Sequence, residues 1–250
     1  MDRIKKITFK EKIKNIKTSF KSLKWYEIIM IIIMIIIASI AVVEAIIHPE
    51  TSTNPLWLTI INFISAICGI MCIFFCAKAN ISNFIFAVIN TFVYAIFLWY
   101  HKIYGTFALE VLFYQPVNFI SWYIWSKHRD EKLIEKTKTK KLTLLQNILC
   151  AIIITIGGIV YHSILVKIGG TVAWLDAFTL SIGIIAVILE MFRYKEQYIW
   201  WIITDIIAVA MYIIHFDLVY LTKKSIYLLM AIIGIINWTK LNKERNKTNE

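Results

Sequence analysis

Eight glycines, three prolines and four cysteines in 250 residues leave little from which the common catalytic loops are built. No G-x-x-x-x-G-K-[ST] segment exists to cradle nucleotide phosphates, so the chain does not hydrolyse ATP. H-E-x-x-H and G-x-S-x-G are also missing, and Asp205 is the one aspartate at the centre of an apolar run, which removes zinc proteases, serine hydrolases and aspartyl dyads. The cysteines form no disulfide or zinc spacing. Cys68, Cys72 and Cys76 recur every fourth residue on one helix face and Cys150 stands alone, the pattern of small packing residues. No catalytic residue, metal site or cofactor is expected. Of the prolines, Pro116 alone falls inside an apolar run.

What is present is apolar surface: 59% hydrophobic residues, 14% aromatic and a mean hydropathy of +0.70, against about 45–50% apolar in soluble domains. The excess lies in runs of about 20 residues, the length of a helix crossing about 30 Å of hydrocarbon. These runs predict an all-α polytopic membrane protein with eight spans, at about 26–47, 55–77, 83–100, 104–125, 143–165, 172–192, 198–215 and 219–239. The net charge of +11 does not signal nucleic acid, because Lys and Arg lie mostly between or outside the runs. With the N-terminus inside, 23 of the 27 basic residues fall on the cytoplasmic side, so both termini are expected there. Residues 1–24 are basic with apolar residues at helical spacing, which suits an amphipathic helix on anionic lipid. They do not suit a cleaved signal peptide, since the basic region and the following run are both too long. A second basic stretch covers 126–142, and a tail follows from 240 to 250.

An internal repeat is visible. Trp57-Leu58 and Trp174-Leu175 open the second and sixth spans, Asn90 and Asp205 lie midway along the third and seventh, and Asn118…Trp122 and Gly234…Trp238 end the fourth and eighth. The offsets are nearly constant, so two parallel three-helix repeats (55–125 and 172–239) are expected. A linker helix at 143–165 joins them, and an additional helix at 25–47 precedes them. Parallel repeats belong to transporters that bind substrate between the repeats near the midplane.

The polar groups inside these spans are the candidate site. A carboxylate at the bilayer centre costs at least about 2.5–3.5 kcal/mol, so Asp205 needs a donor, water or protonation; a bond to Asn90 is one such donor, and a binding role is the other reading. Trp201 lies one turn before Asp205 on the same face. Gln115 and Asn118 share a face of the fourth span, and Pro116 between them frees a backbone carbonyl. Asn90, Trp122, Trp200 and Tyr212 complete the set. Glu110 lies deep in its span, whereas Glu44, Asp176, Glu190, His48, His101 and His215 sit near span ends.

The W-x-x-W of Trp122 and Trp125, the Gln-x-x-Asn of Gln115 and Asn118, the Trp200-Trp201 pair and the three-one-three order resemble the PnuC vitamin transporters over about residues 55–240. The resemblance implies a fold related to the SWEET sugar transporters, an assembly that is often a homotrimer, and passive uptake of nicotinamide riboside trapped by a cytoplasmic riboside kinase. It places Gln115, Asn118, Trp201 and residue 205 at the vitamin, with Asp205 where the family motif carries an asparagine. The expected partners are thus a small-molecule vitamin and membrane lipid, in a bacterial-type plasma membrane. Alternatives are a thiamine or other vitamin or nucleoside carrier of the same fold, a substrate-capture subunit needing an ATPase, and an intramembrane enzyme. The repeat argues against the capture subunit, and the missing nucleophiles against the enzyme.

Overall fold

The protein is represented by a computed structural model that describes residues 17–50, 52, 54–130, 135–167, 173–214 and 218–249. Most of the expected amphipathic segment (1–16), His215 and the side chain of Asp176 lie outside the described residues. The described chain is helical throughout: α1 (Trp25–Ile47), α2 (Leu56–Ala77), α3 (Asn83–Tyr100), α4 (Tyr104–Leu109), a π-helical turn (Glu110–Tyr114), α5 (Gln115–Lys127), α6 (Leu144–Lys167), α7 (Ala173–Met191), α8 (Gln197–Ile214) and α9 (Leu218–Asn249). Six of these, α1, α2, α3, α6, α8 and α9, are long and apolar enough to cross a membrane. Isoleucines and leucines along α1 and α6 stay exposed, as lipid-facing residues do.

The chain divides into two compact units at Thr137. In the first, α1 packs on α2, α2 on α3, and α3 on α5; in the second, α6 packs on α7, α7 on α8, and α8 on α9. Each unit thus packs its described helices in chain order, with α1 leading the first and α6 leading the second.

The duplication reaches atomic detail at the turn joining the first two helices of each repeat. Ala79 (φ 55°) and Arg193 (φ 68°) adopt the left-handed conformation, although neither is glycine. Asn80 N donates to Phe75 O at 2.9 Å and Tyr194 N to Leu189 O at 2.8 Å, the six-to-one bond of a Schellman ending. Both turns are held by the strand of chain near Thr137. Thr137 N donates to Ala79 O at 2.9 Å in the first unit, and Lys140 N to Arg193 O at 2.7 Å in the second. The segment preceding each first helix is also tied to its turn. Asn80 Nδ2 donates to Ser19 Oγ at 2.7 Å, and Leu142 N donates to Glu196 Oε2 at 3.0 Å.

Each repeat closes on a buried tryptophan. Phe84 meets Trp125 edge-on at 4.8 Å, and Tyr198 meets Trp238 edge-on at 5.5 Å; both indoles are fully buried. Such pairs contribute about 0.5–1.5 kcal/mol beyond area burial. The structural counterpart of Trp238 is thus Trp125 and not Trp122, as pairing the ends of the spans had suggested. The W-x-x-W doublet offers two tryptophans one turn apart, and sequence offset alone cannot choose between them. At the offset of the turns, Asp205 matches Thr91 and Asn90 matches Thr204.

α1 is fixed to the first unit by a buried ion pair. Glu27 is fully buried, and its Oε2 lies 2.5 Å from Lys78 Nζ in the turn after α2. Lys78 Nζ also donates to Ser22 O at 2.8 Å. Burial lowers the Lys78 pKa from its ordinary value, against the opposing pull of Glu27.

Candidate functional site

The first unit gathers amides and hydroxyls. Proline has no N–H, so Pro116 cannot close the helix bond a turn earlier. The chain passes through the π turn just before it, where Gln115 N reaches back to Glu110 O. Turns of this kind re-aim side chains and are frequent at functional sites. Gln115 Oε1 is buried with no hydrogen-bond partner among the described residues. One turn on, Asn118 Nδ2 donates to Thr91 Oγ1 at 3.1 Å. On the neighbouring side of α3, Asn90 Oδ1 accepts from Ser65 Oγ at 2.8 Å. α3 and α5 thus present an uncharged polar cluster. Trp122 is half-buried on the same helix as Gln115 and Asn118.

The second unit is charged. Asp205 on α8 is buried, and its Oδ1 lies 3.0 Å from Lys224 Nζ on α9. The ammonium also sits 5.5 Å from the Tyr227 ring centroid. Asp205 is therefore compensated within its own unit by Lys224. Lys224 belongs to the second turn of α9, where its four-carbon stem reaches the neighbouring α8. Trp201 and Tyr212 are half-buried on α8. Trp200 Nε1 is buried and lacks a partner among the described residues. Each unit thus holds a buried polar atom without a partner among the described residues, an acceptor on Gln115 in the first and a donor on Trp200 in the second.

Sequence reading missed several buried polar residues. Asn83 and Gln197 open α3 and α8 at equivalent positions, are fully buried, and have no partner on either amide atom among the described residues. Their equivalence was available from the repeat, but both lie where a span end was drawn. His162 stacks on Trp174 at 3.5 Å in the second unit. His101 Nε2 is 2.7 Å from Asn54 Oδ1 near the end of its helix, in keeping with an interfacial residue.

A multi-pass helical chain with a duplicated unit, and with polar groups left open midway along otherwise apolar helices, is a small-molecule membrane transporter. The family described as nicotinamide mononucleotide transporter matches residues 59–240, and the chain belongs to it. The nicotinamide riboside transporter PnuC of Neisseria mucosa is 32% identical over 192 residues, covering 73% of each chain. That of Haemophilus influenzae is 32% identical over 197 residues, covering 76% of this chain and 82% of that one. The crystal structure of the vitamin B3 transporter PnuC matches with a TM-score of 0.69 and 29% identity, over 89% of this chain and 94% of that one.

Proposed function

We propose that the protein carries nicotinamide riboside across a bacterial plasma membrane by facilitated diffusion. A cytoplasmic riboside kinase would trap the vitamin after entry. The observation that carries the choice of substrate is the charge of the two polar clusters. The family description names the mononucleotide, whereas the similar proteins are named for the riboside. A phosphate dianion calls for basic groups or a phosphate-binding loop. The first unit's cluster is built of neutral groups; at the second, Lys224 is already held by Asp205 and its neighbour Lys223 lies against the Tyr227 ring. Amides, a hydroxyl and indoles suit a ribose and a flat carboxamide ring instead. Trp201 stacks on the ring, a contact worth about 1–2 kcal/mol when desolvated. Gln115, Asn118 and Asp205 bond hydroxyls or carboxamide, and Asn90, Trp122, Trp200 and Tyr212 complete the proposed set.

In this reading the chain crosses the membrane eight times. The segment from α4 through α5, and α7, add two crossings to the six long helices. Two parallel three-helix repeats are then joined by α6, with α1 added in front and both termini cytoplasmic. The assembly is a homotrimer. Binding calorimetry on the purified protein with nicotinamide riboside, nicotinamide mononucleotide and thiamine tests the substrate. Heat from the riboside alone is expected. Tighter binding of the mononucleotide or of thiamine overturns the assignment.

A further inference from the structure

The Asp205–Lys224 pair joins the middle of α8 to the second turn of α9. Asp205 is nearly inaccessible, while Lys224 keeps partial exposure and lies against the Tyr227 ring. The position equivalent to Asp205 in the first unit is Thr91, a neutral hydroxyl that receives an N–H from Asn118. The two units thus solve one problem differently: a buried acceptor midway along the second helix of the repeat is met by a donor from another helix. In the second unit the acceptor is charged and the donor cancels that charge.

We propose that Lys224 is a positioning and specificity-determining residue. It serves as the permanent counter-ion of Asp205, so that the carboxylate acts on the substrate as an oriented, net-neutral hydrogen-bond acceptor and not as the counter-charge of a cation. One carboxylate oxygen is engaged by the ammonium at 3.0 Å, and the other can accept from a hydroxyl. The Tyr227 ring lies 5.5 Å from this ammonium and 5.7 Å from that of the neighbouring Lys223, and its cation–π contact helps to hold Lys224 beside Asp205. A ligand cation arriving at Asp205 would have to displace this tethered lysine. Recognition at Asp205 therefore rests on hydroxyls, and the ligand's charge adds nothing there.

This inference rests on nicotinamide riboside being the substrate. It is tested with the cationic riboside and its neutral 1,4-dihydro form as a pair of probes. Calorimetry and thermal unfolding are run on the parent, Lys224→Met, Lys224→Arg, Asp205→Asn and the Asp205→Asn/Lys224→Met double variant. Lys224→Met is expected to weaken both probes by the same factor of about ten, because it leaves an unpaired buried carboxylate. Lys224→Arg should retain most of the affinity, and the neutral double variant should bind better than either neutralising single variant. Tighter binding of the cation alone in Lys224→Met would make Lys224 a competitor of the substrate and overturn the proposal. So would parental affinity for both probes. If Lys224→Met fails to fold, the arginine and double variants decide by the same criteria. A parent that binds neither probe refutes the substrate reading. The thermal midpoints then still judge the pair: losses that are additive across positions 205 and 224 overturn it, and recovery in the double variant supports it.

Discussion

The two units share one plan and fill it with opposite chemistry. Each has a helix packed on a three-helix repeat, a left-handed residue at the same turn (Ala79, Arg193) and an edge-on aromatic pair ending in a buried tryptophan (Trp125, Trp238). Midway along the second helix of each repeat the first unit has hydroxyls and amides, and the second a carboxylate with a lysine. The shared features lie where backbone and packing fix the geometry. The differing ones lie where a small molecule would be read. Two similar units can thus keep their turns and ring contacts while the polar groups midway along their helices diverge.

That comparison breaks most severely at the packing of the second unit. A Cβ at Gly234 would collide with the Tyr198 ring, whereas the matching position in the first unit is the buried Ser121. Gly234→Val should lower the thermal midpoint in detergent by the equivalent of about 3 kcal/mol, the upper end of overpacking costs. Ser121→Gly should cost about 1 kcal/mol, in line with glycine inside a helix. Equal losses would show that the ring contact is not what demands glycine. Next in size is the removal of the central acceptors. Asp205→Ala strands Lys224, which keeps partial exposure, and is expected to cost about 2–3 kcal/mol, short of about 3–5 kcal/mol for a fully buried pair, against about 1 kcal/mol for Thr91→Ala, which breaks one neutral hydrogen bond. Unfolding in matched detergent reads both, and a Thr91→Ala loss as large as that of Asp205→Ala would erase the distinction between the units. Glu27→Gln removes the charge that Lys78 faces and should free α1 from the turn of the first unit. Faster proteolysis near residues 17–24, with riboside affinity unchanged, is the expected sign, while unchanged proteolysis counts against the anchor. The smallest effect is at the turns: Ala79→Gly relieves a left-handed alanine and should leave stability unchanged or raise it by up to about 1 kcal/mol.

Much of the scaffold was legible because hydrocarbon imposes it. The expected span at 83–100 matches α3 (Asn83–Tyr100), and those at 26–47 and 55–77 differ from α1 and α2 by one residue. The PnuC resemblance rested on residues that lie on α5 and α8, and the family comparison upholds it. The site was legible only as a set of polar residues in the wrong solvent. Which of them meet depends on helix rotation, which the sequence does not state. Asn90 was set against Asp205 by an offset one residue too long, whereas the turns align Thr91 with it. Lys224 was hidden by its length, since a lysine near a span end reads as a headgroup neighbour until its stem is seen to reach inward. Pro116 announced a broken helix bond, but the π turn that absorbs it, and so the aim of Gln115, follows from packing against α3. Glu27 and Lys78 lie 51 residues apart and look like ordinary interfacial charges until α1 is packed on α2.

The central proposal is that the polar cluster of each unit takes part in recognising the riboside. Titrating nicotinamide riboside into the parent, Asn118→Ala and Trp201→Ala side by side tests it most directly, with folding of each variant checked by thermal unfolding. Loss of affinity of about ten-fold or more in both folded variants is the expected result. Parental affinity in either variant would confine recognition to the other unit and contradict the account.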